Sequence, residues 1–131
     1  MKSSDFTIMF ADDNELIQKI YEKNFTKEGF KVVLAEHGAR VLAELAEQKI
    51  DLLVTDIKMP GMNTLELFSI LKNDYPRLPV IVVTGHYVNL MEEFKSKGFE
   101  LKAVLNKPVS AGVLKEKVRE ILKIENVIEK K

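Results

Sequence analysis

The sequence predicts a doubly wound α/β sandwich: one five-stranded parallel sheet with five helices on its two faces, three layers in all. Three observations predict it. Short apolar runs alternate five times with segments of helical period. Three of those runs are apolar throughout rather than every second residue, which suits strands buried on both faces. Strands separated by helices need right-handed crossovers, and crossovers make neighbouring strands parallel.

The first run is Phe6-Thr7-Ile8-Met9-Phe10-Ala11, followed by Asp12-Asp13-Asn14. Leu16, Ile17, Ile20, Tyr21 and Phe25 then fall on one helical face, and Gly29 sits where a helix C-cap glycine belongs. The second run, Phe30-Lys31-Val32-Val33-Leu34-Ala35, leads to a helix carrying Val41, Leu42 and Leu45. The third, Leu52-Leu53-Val54-Thr55, ends on Asp56. After the Met59-Pro60-Gly61 break, Asn63 with Glu66 three residues on marks a helix start for Leu65, Phe68 and Leu71. Pro79 introduces the fourth run, Val80-Ile81-Val82-Val83-Thr84, and a short helix follows around Leu90, Met91 and Phe94. The fifth, Leu101-Lys102-Ala103-Val104-Leu105, is followed by Ser110 as cap of a helix with Leu114, Val118, Ile121 and Leu122 on one side.

Bulk properties narrow the function. A chain of 131 residues fits one domain. Twenty basic and twenty acidic residues cancel, so no general basic field points to nucleic acid or an anionic membrane. The chain has no cysteine, which removes disulfides, thiolate metal sites and cysteine nucleophiles together. It also has neither a signal-peptide core nor an apolar stretch of the ~20 residues that a spanning helix needs, so the cytoplasm is the expected compartment.

In an open parallel sheet, ligands meet the carboxyl ends of the strands where strand order reverses. Those ends carry Asp12 and Asp13, Asp56, Thr84 and Lys107. Singly each has a plain structural use: Asp12-Asp13-Asn14 caps a helix, Thr84-Gly85 leaves a strand, and Lys107-Pro108 enters a helix. Together they place three carboxylates in one cleft, where like charges need a cation. Lys107 is one candidate and Mg²⁺ another, because Mg²⁺ takes one or two carboxylates, keeps several waters and completes its shell with phosphate oxygens. The set therefore suits phosphoryl chemistry, with Asp56 the carboxylate placed to form an aspartyl phosphate.

These positions, with Asp56-Ile57-Lys58-Met59-Pro60-Gly61-Met62, resemble the receiver domain of two-component response regulators. The resemblance implies a flavodoxin-like sheet of order 2-1-3-4-5, with the receiver at residues 1–123 and residues 124–131 as a helix extension or linker stub. It implies that Asp56 accepts a phosphoryl group from a sensor histidine kinase or a histidine phosphotransfer protein. Asp13, Asp56 and the backbone carbonyl of Lys58 would hold Mg²⁺, with Asp12 acting through water. Lys107 would pair with Asp56, Thr84 would turn in to bond the phosphoryl group, and the Lys107-Pro108 peptide would be cis. Val104 stands where the family usually carries Tyr or Phe, so the expected switch lacks its aromatic readout. Lys58 and His86 flank the acceptor and would tune phosphoryl lifetime.

The protein so read is a switch that signals to a downstream output domain or protein, catalysing only its own phosphorylation and slow dephosphorylation. Neither direct nucleic-acid binding nor membrane contact is expected. A dimer through the face of strands four and five is allowed by the fold but carried by no residue pattern. Other classes fit less well. A phosphatase using an aspartyl phosphate would want an acid where Lys58 stands. A flavin carrier on the same fold would have Asp12 and Asp13 repel the FMN phosphate. A receiver-like interaction domain that is never phosphorylated would have no need of Asp13, Asp56, Thr84 and Lys107 together.

Overall fold

The computed structural model describes residues 2–59, 61, 63–85 and 89–124. A 3₁₀ turn (Ser3–Asp5) leads into β1 (Thr7–Ala11), α1 (Glu15–Lys27), β2 (Lys31–Ala35), α2 (Gly38–Glu47) and β3 (Leu52–Thr55). Next come α3 (Thr64–Asp74), β4 (Val80–Thr84), α4 (Leu90–Ser96), β5 (Ala103–Asn106) and α5 (Ala111–Leu122). The strands form one parallel sheet in the order β2-β1-β3-β4-β5, as expected.

Successive residues of a strand face opposite sides of the sheet, and the core divides accordingly. Ile8, Phe10, Leu52, Val54, Ile81 and Val83 face α1 and α5, against Tyr21, Phe25, Leu114 and Val118. Met9, Ala11, Leu53, Val80 and Val82 face the other helices, against Val41, Leu45, Phe68, Leu71 and Phe94. The three central strands are buried along their whole length apart from Thr7, which explains their unbroken apolar runs. The edge strands β2 and β5 are only partly buried, and β5 begins two residues later than the apolar run suggests.

Local signals place the helix ends. Asn14, Asn63 and Ser110 each cap a helix by accepting main-chain N–H groups, from Ile17, from Leu65 and Glu66, and from Val113. Gly29 takes φ +99°, the left-handed conformation that follows a helix end. Helix α5 stops at Leu122, where Lys123 is left-handed with φ +56°. Residues 125–131 of the expected extension lie outside the described residues.

One helix face differs from its sequence pattern. Leu16 and Ile20 were expected in the core and are 68% and 49% exposed. The buried stripe of α1 is Gln18, Tyr21 and Phe25, so a polar side chain takes the place of an apolar one. In the same way Leu65 and Met91 are exposed, while Leu67 is buried in α3. No helix among the described residues is long and apolar enough to cross a membrane.

Candidate functional site

The register of the sheet brings four strand ends to one level. Ala11 pairs with Ala35 on one side and Thr55 on the other, and Thr84 pairs with Asn106. The residues that follow these ends therefore share one rim. Asp12 leaves β1 with its N–H donated to the Ala35 carbonyl at 3.0 Å, and Asp56 leaves β3 with its N–H donated to Ala11 at 2.9 Å. The Lys107 N–H reaches the Thr84 carbonyl at 3.0 Å, so the lysine is registered against β4 by its main chain.

Lys107 joins the two acids. Its Nζ donates to Oδ2 of Asp12 and to Oδ2 of Asp56, both at 2.7 Å. The other oxygen of each carboxylate is held by main chain. Asp12 Oδ1 accepts from the Asn14 N–H at 2.8 Å, and Asp56 Oδ1 accepts from Ile57 at 2.6 Å and Lys58 at 3.2 Å. Two hydroxyls brace the segment around Asp56: Thr55 Oγ1 donates to the Asp56 carbonyl and Thr64 Oγ1 to the Ile57 carbonyl. Asp12 and Asp56 are buried, so these contacts replace the water that would otherwise solvate them.

The charges act on one another. Burial by itself would lower the Lys107 pKa, but hydrogen bonds and charge from Asp12 and Asp56 overcome it and hold the ammonium above its ordinary value. Tyr21, on α1, feels the same cluster. Burial and the charge of Asp12 push its phenol up, Lys107 opposes them, Asp56 adds to them, and the result is about 12.

Of the other expected site residues, Thr84 is buried at the end of β4. Asp13 and Lys58 are exposed in their loops, and Val104 is half-buried against the core beneath α4. His86 lies outside the described residues. The Lys107-Pro108 peptide is cis. The structure unites Asp12, Asp56 and Lys107. Among the described residues no three acidic, imidazole or thiol side chains are gathered closely enough to hold a metal by themselves. That donor set does not suit an ion needing four protein ligands. It suits Mg²⁺, which takes one or two carboxylates and keeps waters for the remaining positions.

Sequence comparison decides the family. The response regulator receiver domain model matches residues 8–119. The chain belongs to the receiver domain family of response regulators. The receiver is 39% identical over 79 residues to the DNA-binding transcriptional regulator NtrC of Proteus hauseri, covering 60% of this chain and 17% of that protein. It is 35% identical over 79 residues to the transcriptional regulatory protein GlrR of Escherichia coli, covering 60% of this chain and 18% of that one. The chain thus spans less than a fifth of the length of these curated relatives. A CheY-like response regulator receiver domain from Methanospirillum hungatei superposes with a TM-score of 0.81 at 30% identity, over 90% of this chain and 94% of that chain. The family makes the chain a signalling module.

Sequence reasoning passed over Gln18 and Tyr21 as parts of this neighbourhood. Gln18 had one available signal: with Asn14, Tyr21 and Phe25 it falls at helical spacing, a polar residue on a stripe that the structure buries. Tyr21 had none, because an aromatic residue on an amphipathic helix reads as core. It is core as well, its ring stacked on Phe10 at 4.7 Å.

Proposed function

We propose that this receiver accepts a phosphoryl group on Asp56 from the phosphohistidine of a sensor histidine kinase or a phosphotransfer protein, and that the phosphorylated form biases a two-state switch read by an output domain or protein. The observation that carries the proposal is the setting of Asp56. It ends a fully buried central strand, with one oxygen held by Lys107 and the other by two main-chain N–H groups.

In the reaction one carboxylate oxygen of Asp56 bonds to phosphorus, the phosphorus–nitrogen bond breaks, and the bonding pair returns to the imidazole, which takes up a proton. Asp13 and Asp56 with the Lys58 carbonyl, and Asp12 through water, would hold Mg²⁺. Bound there, Mg²⁺ would offset charge on the phosphoryl oxygens. Lys107 already stands beside Asp56 and would supply a second cation to those oxygens. Thr84 lies at the neighbouring strand end, where its hydroxyl can be drawn to a phosphoryl oxygen. Lys58 follows Asp56 by two residues and His86 follows Thr84 by two, and these two side chains would set how readily water reaches the acyl phosphate. Residues 1–123 would then be the receiver unit. Both curated relatives cited above are named as transcriptional regulators, so a transcriptional output is the first to examine.

The test is incubation with a small phosphodonor, with and without Mg²⁺, followed by intact mass. One phosphoryl adduct that requires Mg²⁺ and disappears in Asp56→Asn supports the proposal. A folded, Mg²⁺-binding protein that takes up no phosphoryl group overturns it.

A further inference from the structure

Gln18 is the one glutamine among the described residues that is buried, and no step assigned above uses it. It lies one turn into α1, and its Nε2 donates to the carbonyl of Ala35 at 2.9 Å, across to the end of β2. The same carbonyl accepts the main-chain N–H of Asp12 at 3.0 Å. Ala35 is also the β2 residue in register with Ala11, the last residue of β1. One oxygen thus receives a bond from the acidic loop and a bond from the helix that follows that loop.

The loop is closed on its other sides too. Asn14 N–H bonds Asp12 Oδ1, and the Asn14 side chain caps α1. Asp12, Asp13 and Asn14 therefore run from a strand end to a helix start, and Gln18 is the only side chain among the described residues seen to tie that helix to β2 by a hydrogen bond. A methylene chain would fill the same space. The amide is kept at the cost of burying a polar group, and its bond to Ala35 offsets that cost.

We infer that Gln18 is a positioning residue for the acidic loop: its amide fixes the Ala35 carbonyl that receives the Asp12 main chain, and so sets where Asp12 and Asp13 stand for a divalent cation. The inference rests on the proposed role of Asp12, Asp13 and Asp56 in holding that cation. Gln18 touches neither cation nor phosphoryl group, and acts through the main chain.

The test compares wild type with Gln18→Met, which keeps length and loses the donor, and with Gln18→Leu, which stays apolar and uncharged and loses the donor. Ile81→Val serves as a core variant remote from the loop. The readouts are the Mg²⁺ dissociation constant by calorimetry and the exchange rate of the Asp12 amide hydrogen, with thermal unfolding run alongside. Both Gln18 variants should weaken Mg²⁺ by about tenfold, the scale seen when groups that orient metal ligands are removed. Both should speed Asp12 amide exchange, and Ile81→Val should change neither. Unchanged Mg²⁺ affinity in either folded Gln18 variant overturns the inference, as does an equal weakening by Ile81→Val. If wild type itself binds no Mg²⁺ and takes up no phosphoryl group, the functional proposal fails first, and that result is separate from any comparison among variants.

Discussion

Lys107 is shared by two acids. Its Nζ stands 2.7 Å from one oxygen of Asp12 and 2.7 Å from one oxygen of Asp56. Removing it leaves two buried carboxylates facing each other without a counter-charge, and removes a cation from the transferring group. Lys107→Ala should slow phosphoryl uptake by about 100-fold while the protein stays folded, measured as the rate of adduct formation at saturating Mg²⁺. A rate within twofold of wild type would show that the lysine has only a structural part. The strand-end positions of Asp12, Asp56, Thr84 and Lys107 were legible in the sequence, because the order of elements in a doubly wound sheet determines which ends meet. The sharing was not. Lys107 was expected as a cation for the acidic cleft and as the partner of Asp56, but which oxygen each acid turns to the ammonium depends on the Asn14, Ile57 and Lys58 N–H groups that occupy the other oxygen.

At the scale of elements, α1 shows why apolar periodicity locates a helix better than it orients one. Leu16, Ile17, Ile20, Tyr21 and Phe25 span two overlapping stripes. The structure buries the stripe of Gln18, Tyr21 and Phe25, since Gln18 finds a carbonyl partner and the two rings meet Phe10. Leu16 and Ile20 are left outside. Phe25 is fully buried, with ring centroids 4.8 Å from Phe10 and 5.7 Å from Phe30. Phe25→Ala should therefore cost about 3–5 kcal/mol of unfolding free energy in a denaturant titration. Leu16→Ala, on the exposed stripe, should stay within about 0.5 kcal/mol of wild type in the same titration. Helix starts were read more securely. Asn63 and Ser110 were expected as caps and are caps, because a cap needs only one side chain and the turn it closes. Ser110→Ala should cost about 1 kcal/mol, read as a lower thermal midpoint.

For the whole molecule, the charge cluster couples the site to stability. Tyr21 and Lys107 both have folded-state pKa values above their ordinary ones of 10.0 and 10.5. The folded protein holds these two protons more tightly than the unfolded chain does. Their contribution is fully present below the ordinary values and is lost as pH rises through the folded ones. Stability should thus fall on the alkaline side, beginning near pH 10, with tyrosinate absorbance from one of the three tyrosines delayed to about pH 12. Tyr21→Phe should abolish the delayed absorbance and leave the Lys107 part of the alkaline loss in place.

Cation binding should act in the opposite direction. At a hundredfold excess over its dissociation constant, Mg²⁺ should add about 2.7 kcal/mol of stability, and Asp13→Asn should shrink that gain at the same concentration, both seen as thermal midpoints. The central strands were readable across the whole chain, because burial on both faces leaves a continuous apolar signature, and their order followed from the family resemblance. The edge strands were read less well: β5 runs Ala103–Asn106 instead of starting at Leu101, because half-buried strands mix polar and apolar residues at their ends.

As proposed above, the buried third strand presents Asp56 as the phosphoryl acceptor. The most direct measurement phosphorylates the protein in Mg²⁺, reduces the product with borohydride, which turns an aspartyl phosphate into homoserine, and sequences the peptides by mass spectrometry. Homoserine is expected at position 56 alone, in an amount that follows the phosphoryl adduct. Homoserine at position 12 or 13, or an adduct that leaves position 56 as aspartate, would contradict the proposal.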